Sequence, residues 1–518
     1  MRCSLFSLAV LSVGLLSASA EARPLSEGAL FARCYAQLTG KPVPLNHAVH
    51  QQVKAGQIKA IDACNALLDK GALSAGGALV KQNDPEAEAV LTQLYNFHRT
   101  WFPVSNQEQL PDYSGEYALQ TEDVFDMTEP ALALTKATLG GHQYREVITS
   151  FRGVRALRRV NMGLRQAYGY NAMSPSRRLY ASPDLGLYDQ NHFWFRGNGG
   201  FAGNGSGSVS VQLPMIQVGD LVGIGFNNMQ GAAPSYTLTP LAITQDEPRV
   251  GKEPGLMGNL DLMNSHGGGI MGYPIYLLTY LGHGKGVKMD GALKMPRKWS
   301  QQTMQTFMCT NFPALRESDV AQFVVPGSPT PFRGARACVT CHGTLDQMGS
   351  VARNFTWASS DFTRPTEQGA DNRKVMALIG KFNADLAPHG SWSDRTVENF
   401  HRQTPTGRLY FRAFSGELID IPVNGLTQLG EAMASTDDFY QCAAKRYFEF
   451  MTGVQVPLFD RRDPKNSDLL RNISQAAIND RKYVETMGLE LKQHQSVVRL
   501  LKSIMASPYY RESNYRPE

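Results

Sequence analysis

No run of five or six lysines and arginines occurs in this sequence, and its formal net charge is only +5 over 518 residues. A chain that tracks a phosphate backbone needs a dense basic stripe, so no nucleic-acid partner is expected. Charged residues of both signs are sparse at 19%, while 42% of the chain is hydrophobic, which excludes disorder over most of its length. After the first 20 residues no uncharged apolar run approaches the roughly 20 positions that a helix needs to cross a bilayer. Internal repeats and low-complexity segments are lacking as well. Cysteine is scarce, with seven in all, and their positions carry most of what the sequence says about chemistry.

The N-terminus sets the compartment. Arg2 precedes an apolar stretch from about Leu5 to Leu16, and Ser17-Ala18-Ser19-Ala20 offers a small-x-small cleavage site before Glu21. Residues 1–20 therefore read as a secretory signal, with a single membrane anchor as the rival reading. Cleavage would leave a periplasmic or otherwise exported chain without a membrane span. Cys3 would leave with the signal. Of the remaining six cysteines, Cys338 and Cys341 share one short motif, and Cys34, Cys64, Cys309 and Cys442 are left to pair in an oxidising compartment. The economical pairing is Cys34 with Cys64 and Cys309 with Cys442, although four cysteines allow three connectivities.

The length predicts about two to four domains. Residues 21–174 read as a helical N-terminal part: Asp84-Pro85 starts a helix whose Val90, Leu91, Leu94, Phe97 and Trp101 recur at helical spacing until Pro103. A second helix spans about Glu129 to Thr138. Residues 175–255 form a small β-rich insertion, with β-favouring runs at Phe193 to Phe195, Val209 to Leu213 and Leu221 to Phe226. Its Gly197 to Gly203 stretch lacks the strand and helix that a dinucleotide fingerprint requires. Residues 256–380 hold the cysteine motif, with an apolar segment Tyr273 to Leu281 and a helix ending near Cys309. Residues 381–518 read as a helical C-terminal part, introduced by a hairpin around Phe414-Ser-Gly416. Asp437 or Asp438 would cap a helix that Gly453 ends, and a last amphipathic helix runs from about Gln495 to Met505.

The motif is Cys338-Val-Thr-Cys341-His342. In covalent haem attachment two thiols add to the porphyrin vinyl groups, and the histidine after the second cysteine binds iron axially. Two intervening residues let one helical turn present both thiols to one edge of the ring. Three other readings compete. Chance occurrence with seven cysteines and 11 histidines in 518 positions is far below one match. A zinc site needs about four ligands, and no second Cys-x-x-Cys or His-x-x-x-His completes them. A redox Cys-x-x-Cys pair is expected between a strand and a helix, whereas Pro331 to Ala337 precedes this one.

One motif implies one haem c, held by Cys338, Cys341 and His342. The sixth ligand is open among Met348, Met376, His389, His401, Met433, Met451, Met487, His494 and Met505, or it is absent. Met348, six residues after His342, suits packing; His401 and Met433 are the better-placed distal candidates. A five-coordinate iron would favour catalysis over simple electron transfer. His98 reads as a packed or solvated side chain, and His283 as a loop residue. No serine or cysteine nucleophile has a local signature.

The C-terminal half resembles the planctomycete-type cytochrome c-like proteins, a family of exported bacterial proteins of largely unknown function. The similar blocks are Gly267 to Gly272, Phe332 to Asn354, Gly407-Arg-Leu, Phe439 to Gly453 and Ile504 to Tyr510; less similar are Glu129-Pro-Ala-Leu and Tyr144 to Thr149. Gln347 stands where the family typically has proline after the Asp346 position. The resemblance implies a mainly α fold with a cytochrome c-like haem region, haem on Cys338 and Cys341, and His342 as the proximal ligand. The leading function is periplasmic electron transfer to an unidentified redox partner protein. The alternatives are a haem-dependent oxidoreductase (peroxidase, oxygenase or dehydrogenase subunit) and a surface binding protein in which haem is structural.

Overall fold

The computed structural model describes residues 22–74, 77, 79–103, 129–150, 267–280, 296–327, 334–353 and 404–515, with separate strand segments between 153 and 382. The signal segment lies outside these residues. The described chain is mostly helical.

At the N-terminus a short strand β1 (Arg23–Pro24) precedes helices α1 (Glu27–Thr39), α2 (Ala48–Lys54), α3 (Ala60–Lys70) and α4 (Pro85–Arg99). Ser26 caps α1 by accepting from the Ala29 amide, and Gly40 at φ 70° ends it, a left-handed turn that glycine adopts without strain. Leu30, Phe31, Cys34 and Leu38 recur on the buried face of α1 and meet Ala60, Cys64, Leu67 and Leu68 of α3. The Cys34–Cys64 disulfide joins the two helices. The Asp84 carboxylate accepts from the Glu86 and Ala87 amides and Pro85 opens α4, as the sequence predicts. Val90, Leu91, Leu94 and His98 form its buried face.

Helices α5 (Glu129–Leu139) and α6 (Glu146–Thr149) follow, and then short strands β2 (Gly153–Ala156), β3 (Phe193–Phe195), β4 (Asn204–Gly205), β5 (Met229–Ala232), β6 (Leu241–Ile243) and β7 (Gly258–Leu262). The runs at Val209 to Leu213 and Leu221 to Phe226 lie outside the described residues, as does Gly197 to Gly203. A 3-10 turn at Gly269–Gly272 leads into α7 (Pro274–Tyr280) and α8 (Arg297–Met308). Gly269 combines φ 55° with a backbone approach in which an added Cβ would lie 2.1 Å from the Val147 carbonyl oxygen. No other residue fits there.

Helix α9 (Arg336–Val351) carries the cysteine motif. After it come two long strands, β8 (Phe355–Thr366) and β9 (Gly369–Phe382), which pair antiparallel. They form the centre of a six-stranded sheet in the order β4-β3-β8-β9-β7-β6, so insertion strands join the segment that follows the motif. Strands β10 (Thr406–Arg412) and β11 (Leu418–Asn424) make the predicted hairpin, with Gly416 at φ 82° in its turn. Period-2 alternation splits this hairpin: Leu409 and Phe411 join the main core, while Tyr410 joins a small cluster with Leu315, Val320 and Val339.

The C-terminal part contains α10 (Gly425–Ser435), α11 (Asp437–Thr452), α12 (Ser467–Asn472), α13 (Gln475–His494), α14 (Val497–Ala506) and α15 (Pro508–Arg511), closed by β12 (Glu512–Ser513) pairing with β1. Phe439, Cys442, Ala443 and Tyr447 lie on the buried face of α11, and Gly453 at φ 76° stops it. The cap differs from expectation. Thr436 is the N-cap residue, and neither Asp437 nor Asp438 plays that part. Asp438 points its carboxylate to the Phe414 amide at 2.9 Å and so fastens the hairpin turn to α11. The Cys309–Cys442 disulfide ties the end of α8 to α11.

Candidate functional site

Cys341, His342 and Leu345 lie three, four and seven residues after Cys338 along α9, which places the four on one stripe. All four are half-buried. The opposite face, Val339, Thr340, Thr344, Met348 and Val351, is buried. This division orients the helix. Thr344 donates to the Tyr410 carbonyl at 2.6 Å, and Gly407 lies against the Gln347 carbonyl so closely that a Cβ there would be 2.1 Å from its oxygen. On another side Gly343 lets the helix approach Leu315, whose Cδ1 would be 2.8 Å from an added Cβ.

Both motif thiols are unpaired, whereas Cys34–Cys64 and Cys309–Cys442 are disulfide-bonded. The economical pairing read from the sequence is thus the one present. Burial, the largest cause, pushes the Cys341 thiol above its usual pKa. A proton therefore stays on that sulfur at neutral pH unless a reaction removes it.

The His342 ring is positioned through its Nδ1, which lies 3.3 Å from Asp346 Oδ1 one helical turn on. Asp346 is in turn gripped by Arg297 of α8, through Nε at 2.5 Å and Nη2 at 3.1 Å. Burial works against a charge on Asp346, but the bonds from His342 and Arg297 outweigh it and hold the carboxyl below the usual carboxylate range. An ionised Asp346 accepts from Nδ1–H, and that tautomer puts the ring's lone pair on Nε2. Sequence reasoning assigned neither Asp346 nor Arg297 a role at the site. The four-residue step from His342 to Asp346 was a readable signal; Arg297, 49 residues before Asp346, had none.

Of the distal candidates, His401 and His389 lie outside the described residues, as does His283, and nothing is described of the Met376 side chain. Met433 is fully buried in the main core on α10, and Met348, Met451, Met487 and Met505 are packed in the same core. His494 accepts from the Ser496 amide at 3.0 Å. His98 is a packed residue: it bonds Thr135 through Nδ1 and Tyr447 through Nε2, both at 2.8 Å, and burial lowers its pKa to about 3. Among the described residues no group of three or more histidine, cysteine, aspartate or glutamate side chains could hold a metal ion. Compared with protein-family models, curated proteins and solved structures, the chain matches none of the three.

Proposed function

We propose that this chain is an exported monohaem c-type cytochrome-like protein that carries electrons in the periplasm, related to the planctomycete-type cytochrome c-like proteins. The observation that carries the reading is the donor set on α9: two unpaired thiols and one imidazole on a single helical stripe, with the imidazole anchored at Nδ1. These residues fit the group. Cys338 and Cys341 would hold it covalently, and His342 would offer Nε2 to the iron, the arrangement in which a ligating histidine gives its other ring nitrogen to a carboxylate. Bound there, the iron supplies a one-electron couple. The chain's own part is positional: Asp346 keeps a proton on Nδ1, Arg297 fixes Asp346, and Thr344 and Gly407 fix the helix against the hairpin.

The two disulfides support an oxidising environment for the folded chain, and no helix among the described residues is long and apolar enough to cross a membrane. The test is the visible spectrum of protein exported by a host able to mature c-type cytochromes. An α-band of haem c that Cys338→Ala diminishes supports the reading; a colourless wild-type protein overturns it.

A further inference from the structure

A cleft of about 830 Å³ opens between the loop after α8, the β10–β11 turn, the outer face of α11 and the segment 455–469. Its size is within the usual range for small-molecule sites. Five cationic side chains, Arg316, Arg412, Lys445, Arg446 and Lys465, line it against three carboxylates. Most of these cations already have partners. Arg316 pairs with Asp460 at 2.5 Å, and Lys445 takes Glu449 at 2.6 Å. Glu449 accepts a second bond from the Val456 amide at 2.8 Å, and Arg412 bonds Asp319, which is not part of the cleft lining.

Arg446 is different. Its guanidinium lies over the Trp101 ring at 4.7 Å and Nη2 donates to the Gln305 carbonyl at 3.0 Å. Nε is buried without a hydrogen-bond partner, and among the described residues no carboxylate is in ion-pair contact with this group. Burial, the largest cause, lowers its pKa, and the Glu449 carboxylate, three residues on and already bonded to Lys445, opposes that shift without overcoming it. A desolvated guanidinium is unfavourable until an anion joins it. Beside it the cleft offers apolar surface from Phe312, Pro313, Leu315, Phe414, Leu458 and Leu469.

We propose that this cleft binds an organic anion with an apolar body, a carboxylate or sulfonate whose charged end pairs with Arg446. The cleft is next to the motif helix, since its wall residue Leu315 packs against Gly343 and Lys465 acts electrostatically on Cys341. The inference does not require haem. A bound anion would complete the coordination of Arg446, and its apolar part would cover the adjoining side chains.

Calorimetric titration of the full-length exported protein with 1-anilinonaphthalene-8-sulfonate tests it, with circular dichroism as the check on folding. Saturable binding at one site, weakened about tenfold by Arg446→Gln and unchanged by Lys502→Gln, supports the proposal. Absence of saturable binding, or equal binding by folded Arg446→Gln, overturns it. If Arg446→Gln does not fold, Lys465→Glu at the exposed rim decides alone: weakening by about threefold supports the site and no change overturns it. Calorimetry reads occupancy whether or not Cys338 and Cys341 carry porphyrin, so this result is independent of the spectrum proposed above.

Discussion

His342 and Asp346 face each other one helical turn apart, Nδ1 to Oδ1 at 3.3 Å, and Arg297 closes the chain from a second helix. The relationship ties the only histidine of the motif to a charge that is itself held at two atoms. It predicts that Asp346→Asn loosens α8 from α9 and lowers stability by about 1 to 3 kcal/mol, the range for a hydrogen bond to a charged group. Urea denaturation measures this. Under the proposed function the same variant raises the reduction potential, because an imidazole without an anionic partner is less basic and stabilises ferric iron less. A potential unchanged while stability falls would show that Asp346 only packs.

Asp438 carries a pH prediction of defined sign. Burial raises its pKa from 3.8 to about 7 in the folded chain. The folded state therefore binds this proton more tightly than the unfolded state, and the contribution of Asp438 to stability falls as pH rises from about 4 to about 7. Asp438→Asn cannot ionise and keeps an oxygen for the Phe414 amide. The variant should gain on the wild type in denaturation midpoint as pH rises through this window, and a constant gap would contradict the account.

Covalent closure of the N-terminal helices sets a third expectation. Cys34 and Cys64 are 30 positions apart, and replacing both by alanine should cost about 3 to 4 kcal/mol in the chain-entropy picture. Thermal unfolding of the double variant measures the loss, and it should leave any haem absorbance in place because α9 is not involved.

Gly407→Ala tests how α9 is seated. The added methyl would fall 2.1 Å from the Gln347 carbonyl oxygen, a backbone atom that cannot rotate away. The hairpin and helix must separate, at about 1 to 3 kcal/mol. Denaturant unfolding at full thiol reduction and oxidation should give the same loss, since neither disulfide touches this contact.

Much of this organisation was legible in the sequence because it rests on local rules. The start of α4 at Asp84-Pro85, the stop of α11 at Gly453 and the turn at Gly416 each follow from one residue's backbone preference. Elimination left four cysteines once the motif claimed its pair, and of the three connectivities they allow the economical one is present. Helix α13 was not: it buries Val484, Met487, Gly488 and Leu491 in a narrow stripe amid polar residues, and Gly488 reads as a breaker until its contact with Gln441 is seen. Strands β8 and β9 pair mainly with each other across a short turn, but their place in the six-stranded sheet was opaque, since their outer neighbours β3 and β7 come from distant segments. At the site, the motif was readable and its Asp346 anchor nearly so. Arg297 and Arg446 were invisible because tertiary packing alone gives them their neighbours.

The most direct test of the central claim is the intact mass of the exported protein after acid and organic-solvent extraction of loose porphyrin. The account predicts a mass raised by one haem, reduced to the bare chain in a Cys338→Ala, Cys341→Ala double variant. A wild-type chain that carries no porphyrin after export in a competent host, with Cys338 and Cys341 recovered as free thiols or as a disulfide, would contradict it.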